Sequence, residues 1–282
     1  MLHQAELKVH QYLSNVQAGD AVLSDEVIEQ IVQDVRQALV KQFSKRDSTF
    51  RLRMSNIGRD YCKLWFDKNE PESAIPRSTN FVINMMIGDI VEAVFKGLLV
   101  QSGVSFSNGE DVSMDLGEDV VINGTPDLIL DGKVDDIKSA SPWSYTNKFK
   151  DFATLAESDS FGYVAQLGGY AKAAGVKPGG WWVINKATGE FKYVSAGDID
   201  AEEVAENTQA LAARLAENKF ERCYKPIEEI YRKKPTGNLI LGKECGWCDY
   251  RYRCWPGLVE QPSLVSQAEE KPMVSYVQIK ET

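Results

Sequence analysis

The order of elements in this chain predicts an α/β class, with a mixed central β-sheet flanked by helices. Three observations carry that reading. Apolar residues recur with helical period over 24–43, 80–100 and 161–174. Short strand-like segments bounded by turn residues crowd the interval 103–138. A further strand pair, 181–186 and 190–194, then precedes a last helix over 200–219.

Taken in order, the first of these helices places Val27, Ile28, Ile31, Val32, Val35 and Leu39 on its apolar positions. Asp25 and Glu26 stand in its first turn, where the helix dipole favours anions. A basic segment from Lys45 to Lys63 follows and carries Cys62. Pro71 and Pro76 punctuate a loop. The next helix runs through Met85, Met86, Ile90, Val91, Phe95 and Leu98. Strands are expected at 103–107, 112–115, 119–122, 126–130 and 133–138. A loop of Ser, Lys and aromatic residues over 139–160 leads to the 161–174 helix, which Gly175 fits as a C-terminal cap. Ala187-Thr188-Gly189 turns the following strand pair, and Asp200 with Glu203 opens the last helix in the manner of a capping box. Residues 220–260 read as irregular, and the chain from Gln261 reads as a polar tail. The domains expected are an N-terminal helical region over 1–50, a main domain over 51–260 and the tail over 261–282.

Composition narrows the function classes. The 282 residues supply an ample core, and a charged content of 26% is ordinary for a soluble protein. No apolar run approaches membrane-spanning length, so no membrane partner is expected. The Met1-Leu2-His3-Gln4 start lacks a basic-then-apolar leader, which predicts a cytoplasmic chain. A net charge of −9 argues against a globally basic nucleic-acid binder, although binding can rest on local patches. Such patches exist at Arg51, Arg53, Arg59 and Lys63, at Lys148 and Lys150, at Arg232 to Lys234, and at Arg251 and Arg253. Aromatics interleave them, among them Tyr61, Trp65, Phe149, Tyr231, Tyr250 and Tyr252, as base stacking beside phosphate contact requires. Solvated surface charge is the plainer account of each patch taken singly.

The chemistry concentrates in one predicted hairpin. Asp131-Gly132 is a two-residue turn signal, because both central residues must take positive φ. With that turn, residue 130 pairs with 133, 129 with 134, 128 with 135, and Asp127 faces Asp136. Lys138 shares the face of Asp136, since side chains alternate along a strand. Carboxylates opposed across a strand pair repel, and a divalent cation between them is the usual remedy. Two acids and a lysine on one sheet face make a metal-dependent phosphodiesterase site the first hypothesis. Glu92 is the candidate third acid, four residues after Gly88, whose missing side chain would let the helix approach the sheet. Gln166 and Tyr170, spaced i and i+4, share one face of the helix after the hairpin.

Five cysteines, an odd number, argue against a disulfide framework and for metal ligation or buried thiols. Cys245, Cys248 and Cys254 form a tight ligand run whose fourth member must be Cys62 or Cys223. Zinc sites usually draw on two close cysteine pairs, whereas three clustered cysteines plus one distant one suit a four-cysteine iron–sulfur cluster better. Zinc remains the alternative.

Together these segments resemble the PD-(D/E)XK nuclease superfamily, and within it the RecB-like and AddB-like branch with an iron–sulfur cluster. That branch includes CRISPR-adaptation nucleases and phage exonucleases. The resemblance is carried, in family order, by Met54 to Cys62, Gly88-x3-Glu92, Gly124-Thr125-Pro126-Asp127, Asp136-Ile137-Lys138, Gln166-x3-Tyr170 and the cysteine triplet. The chain departs from the pattern at Lys63, where Pro or Arg is more usual, and at Glu92, where many relatives carry His. The resemblance implies a restriction-endonuclease-like core, with an iron–sulfur clasp joining N- and C-terminal segments. It implies that Asp127, Asp136, Glu92 and the Ile137 carbonyl hold Mg²⁺ or Mn²⁺. Lys138 would position water or offset developing charge, and Gln166 and Tyr170 would orient the site and DNA. It further implies a 4Fe-4S cluster on Cys62, Cys245, Cys248 and Cys254, leaving Cys223 as a buried thiol. The implied activity is that of a DNA exonuclease on single-stranded ends, in the cytoplasm of a prokaryote or phage-infected host. Recombination or CRISPR-adaptation proteins are its expected partners. The competing readings are a catalytically silent DNA-binding partner and a zinc-stabilised interaction module.

Overall fold

The structure, a computed structural model, describes residues 2–45, 49–117 and 120–280. Residue 119, where one predicted strand begins, residues 46–48 of the basic segment, and residues 1, 281 and 282 lie outside the described residues. The helices are α1 (Gln4–Ala18), α2 (Asp25–Phe43), α3 (Tyr61–Asn69), α4 (Asn80–Gln101), α5 (Phe152–Glu157), α6 (Tyr163–Ala174), α7 (Ala201–Glu217), and the single turns α8 (Lys243–Gly246) and α9 (Arg251–Cys254). The strands are β1 (Phe106–Asn108), β2 (Val112–Asp115), β3 (Val121–Gly124), β4 (Leu128–Leu130), β5 (Lys133–Ala140), β6 (Lys177–Asn185), β7 (Phe191–Ser195), β8 (Ile227–Tyr231), β9 (Lys234–Ile240), β10 (Val259–Pro262) and β11 (Met273–Gln278). They form two compact units. The first takes in residues 1–48, 52–58 and 78–212, and the second residues 49–51, 59–77 and 213–282.

The first unit is built on a five-stranded sheet in the order β1-β4-β5-β6-β7. Its β5–β6 pair is parallel and the others are antiparallel, so the sheet is mixed as expected. A parallel pair needs a crossover, which here carries α5 and α6. β5 and β6 lie at the centre and are buried along most of their length. Alternation sends their side chains into two cores. One core holds Met54, Ile57, Val134, Leu167, Tyr170, Trp181 and Val183. The other holds Val9, Phe95, Leu99, Leu128, Ile137, Trp182 and Ile184. Trp181 and Trp182, adjacent in sequence, are each fully buried, one in each core.

The hairpin at the heart of this sheet follows its turn chemistry. Asp131 and Gly132 take φ of 49° and 70°, the positive values that a two-residue turn demands. Leu130 then pairs with Lys133, Ile129 with Val134, and Leu128 with Asp135, in the predicted register. The periodic helices also form where expected. Ser24 caps α2 by accepting from the Val27 amide, and Gly175 closes α6 at φ 66°. Asp200 accepts from the Glu202 and Glu203 amides at the start of α7. Helix α1 was not anticipated. Its apolar residues are spread around the helix, with Leu7 and Val16 exposed, while Ala5 and Val9 are buried in the second core.

The second unit corrects the expected irregular segment and polar tail. Strands β8 to β11 form an antiparallel sheet in the order β10-β11-β9-β8, across residues 227–278. The β8–β9 turn uses Arg232 and Lys233, both at positive φ (49° and 64°), so no Asn or Gly announced it. In β11, Tyr276 is buried. Its hydroxyl donates to Glu229 at 3.0 Å and accepts from the Leu264 amide at 2.9 Å. Among the described residues, no helix is long and apolar enough to cross a membrane.

Gly58 fixes the entry to α6. A Cβ there would lie 2.5 Å from the Gly162 Cα and 2.8 Å from the Ala165 Cβ. Neither backbone nor methyl can swing aside. Gly58→Ala is therefore expected to cost about 1–3 kcal/mol through overpacking. Gly257→Ala, whose Cβ would meet nothing within 4 Å, should leave stability nearly unchanged. Guanidinium midpoints of the two variants check this.

Candidate active site

Asp127 stands immediately before β4, at the point where the hairpin register continues past its last ladder pair. Its Oδ2 accepts the Ile137 amide at 2.6 Å, which ties it across to β5. Ile137 therefore acts here through its N–H. Asp136, buried on β5, meets the Lys138 ammonium at 2.7 Å through Oδ1 and at 2.6 Å through Oδ2. Only the Oδ1 contact has hydrogen-bonding geometry, so Asp136 Oδ2 is buried without accepting a hydrogen bond. The Lys138 Nζ also lies 5.2 Å from the centre of the Tyr163 ring. Asp136 and Lys138 share the face occupied by Val134 and Ala140, which α6 covers.

Helix α6 supplies Gln166 and Tyr170, and Gln166 is near enough to influence the Tyr170 phenol. Burial pushes the Tyr170 phenol up to about 12, with Asp127 and Asp136 adding to the effect. The glycine of the Gly124-Thr125-Pro126-Asp127 segment has a steric reason. A Cβ at Gly124 would lie 2.8 Å from both Tyr170 Cε1 and Met54 Cγ. Helix α4 supplies Glu92, within electrostatic reach of Asp127 and Asp136. Glu92 pairs with Lys96 at 2.6 Å, and both line a cleft of about 500 Å³ that also borders Asp34, Lys41, Asp89 and Asn108. Lys96 escaped the sequence reading, although the i, i+4 spacing from Glu92 was its signal. The role expected of Gly88 is corrected. A Cβ there would meet only the Ser139 Oγ, at an ordinary 3.5 Å, so close packing does not demand glycine.

The electrostatics follow from burial and like charge. Asp127 is pushed up to about 6, by burial first and then by the Asp136 carboxylate. Burial likewise raises Asp136, against the pull of Lys138. Glu92 is raised by burial and by Asp127. Burial works against the Lys138 ammonium, yet the two aspartates hold its pKa above the ordinary lysine value. Among the described residues, no three His, Cys, Asp or Glu side chains are disposed to hold a metal ion. The cation against Asp136 is the lysine.

A second acid of the same strand was overlooked. Asp135 points away from Asp136 into the other core, where it accepts from the Tyr193 hydroxyl at 3.0 Å and Trp182 Nε1 at 3.1 Å. A Cβ on Gly179 would lie 1.9 Å from its Oδ1. Alternation along Asp135-Asp136 was the available signal, since it sends one acid to each face.

The second unit corrects the cysteine pairing. Cys62 is disulfide-bonded to Cys223, with Cα atoms 5.7 Å apart, and its amide donates to the Cys223 sulfur. Cys223 is thus not an unpartnered thiol, and Cys62 is bonded to it. Cys245, Cys248 and Cys254 are free. Burial pushes the Cys245 thiol up to about 11, with Cys248 and Cys254 near enough to add to the rise. Lys63 bonds Asp249 at 3.2 Å and lies near Cys248. The aromatics of the basic patches divide. Tyr61, Phe149 and Tyr250 are core residues and cannot receive a base.

Asp135 yields a pH signature. Burial pushes its carboxyl up to about 7. A raised carboxyl stabilises the fold fully below its unfolded value of about 3.9, and that contribution is lost as pH rises through 7. Asp135→Asn does not titrate. It is expected to destabilise more at pH 5 than at pH 8, by roughly 2 kcal/mol, in guanidinium unfolding at the two pH values.

No family model matches this sequence, and no curated protein matches it. Among solved structures, the crystal structure of SSO0001 is similar over 81% of this chain and 96% of that one, at 12% identity and a TM-score of 0.42.

Proposed function

We propose that this chain is a divalent-metal-dependent deoxyribonuclease, an exonuclease acting on single-stranded DNA ends in recombination, repair or DNA processing. The supporting observation is the meeting of Glu92, Asp127, Asp136 and Lys138 beside the Gln166–Tyr170 pair, from a helix, a hairpin and a second helix of one unit. The donors suit Mg²⁺ or Mn²⁺. They are hard carboxylate oxygens. Among the described residues they are not disposed around an ion as they stand, and Lys138, 2.6 Å from Asp136 Oδ2, would have to give way to one. Glu92, Asp127 and Asp136 would hold the ion, with the Ile137 carbonyl as a further donor. Such an ion supplies an activated water and offsets charge on the phosphate.

The chain's own residues do the rest. Lys138 turns from its aspartate partner toward the attacking water and the phosphate oxygens, where a fixed ammonium is worth most in a water-poor site. Tyr170, kept protonated by its raised pKa, would donate a hydrogen bond at neutral pH. The Ile137 amide keeps Asp127 in place throughout.

For the second unit we propose a 4Fe-4S cluster on Cys62, Cys245, Cys248 and Cys254, acting as a structural clasp. The triplet's spacing and the mutual influence of its thiols support this. Cys62 must part from Cys223 to take part. Cytoplasmic location and recombination or CRISPR-adaptation partners belong to the same proposal.

Nuclease assays with Mg²⁺ or Mn²⁺ on end-labelled single- and double-stranded DNA and on closed circles test the activity. Asp136→Asn and Lys138→Ala should each lower the rate by roughly 10²–10³-fold or more, as loss of a charge-stabilising group does. Chelation should abolish cutting, and the rate should fall below about pH 6 as Asp127 takes up a proton. Full activity in either variant would sink the assignment, and cut circles would remove the exonuclease claim. Binding of DNA without cleavage in Mn²⁺ would mark a silent binding protein.

Protein purified anaerobically should contain iron and acid-labile sulfide, and Cys254→Ser should lose both. Zinc in place of iron would identify an interaction module.

A further inference from the structure

Phe149 and Phe161, between β5 and α6, and Tyr163, the first residue of α6, form a row of rings whose middle member lies beside Lys138. Phe149 and Tyr163 stack with centroids 5.7 Å apart, and Tyr163 and Phe161 stack at 5.6 Å and an interplanar angle of 10°. The inner end is buried, with Phe149 only 3% exposed. The outer end is open, since Phe161 is 54% exposed although Tyr163 and Lys148 both pack on it. Two ammonium groups address the row. Lys148 Nζ lies 4.5 Å from the centres of both Phe161 and Tyr163, and Lys138 Nζ lies 5.2 Å from the centre of Tyr163. Lys148 is itself nearly buried, and its carboxylate neighbour Asp159 stands 3.9 Å away. The exposed Phe161 ring is braced by the Lys148 ammonium, 4.5 Å from its centre.

We propose that Phe161 is a stacking platform for one base of a single-stranded DNA end, set beside the reactive centre. Lys148 is the positioning residue that stiffens the ring and adds positive field toward the backbone. Every base has a π-face, so the platform accepts any sequence, and a paired base inside a duplex cannot lie on it. The ring row fixes the distance between the stacked base and Lys138, and so selects which phosphate meets the lysine. This proposal rests on the nuclease reading, and its test separates the two.

Steady-state kinetics on a single-stranded oligonucleotide should show KM for Phe161→Ala raised about tenfold with kcat nearly unchanged, the size of one lost stack. Phe161→Trp should restore the wild-type KM. Phe161 is largely exposed, so its loss should not unfold the protein. If KM stays within twofold while wild-type protein cuts DNA, the platform is overturned and the nuclease reading stands. If wild-type protein cuts nothing, quenching of a 2-aminopurine-labelled strand decides. Quenching lost in Phe161→Ala upholds the platform and sinks only the nuclease, whereas no quenching by wild-type protein overturns the platform.

Discussion

The ammonium of Lys138 is the group on which the arrangement of the first unit turns. Asp127 and Asp136 are both buried, and two carboxylates brought together out of water cost several kcal/mol unless a cation is fixed beside them. Lys138 supplies it from the same strand and the same face as Asp136, which needs no long-range accident. Asp127 must then be delivered across the hairpin. Its hydrogen bond from the Ile137 amide does so, and that bond depends on the Asp131-Gly132 turn keeping its register. A slip of one residue would send Asp136 and Lys138 into the opposite core and bring Asp135 and Ile137 to the site. The turn geometry is thus a condition for the chemistry as much as for the fold.

The same alternation explains how one strand carries acids on both faces. Asp135 and Asp136 are neighbours, as are Trp181 and Trp182 on the strand beside them. Asp135 meets two neutral donors, Tyr193 and Trp182, and is kept as a half-titrated core group. Asp136 meets a full cation and retains an oxygen with no hydrogen bond. Neutral donors satisfy a carboxyl completely without leaving it reactive. A lysine that can turn away leaves the carboxylate available. The two acids differ in what faces them, not in burial, since both are buried.

What could be read in the sequence was what is local. The hairpin was legible because Asp131-Gly132 encodes its own φ values, and α2, α4 and α6 because their apolar period is strong. Residues 92, 127, 136, 138, 166 and 170 were grouped through a resemblance; they lie within electrostatic reach, but among the described residues no three acids are disposed to hold a metal ion. The β8–β9 hairpin was hidden because Arg232 and Lys233 adopt positive φ without any composition signal. Helix α1 was hidden because its apolar residues do not gather on one face, Leu7 and Val16 being exposed. The Cys62–Cys223 bond joins residues 161 apart, and no spacing rule reaches that far. Gly88 was assigned a close approach that its surroundings do not require.

Charge balance gives the proposed reaction its logic. Glu92, Asp127 and Asp136 face two ammonium groups, Lys96 and Lys138, so the ionised set carries one surplus negative charge. Burial is the first reason that all three carboxyls resist ionisation, and neighbouring carboxylates add to it. A divalent cation would reverse the sign and leave one surplus positive charge. A single phosphodiester group would then bring the site to neutrality, and the extra negative charge that develops during hydrolysis would fall nearest to Lys138. A site already neutral before substrate arrived would have less attraction for a phosphate. On the proposed reading, binding of a divalent cation and a phosphate would relieve the charge that now disfavours ionisation of the three carboxyls.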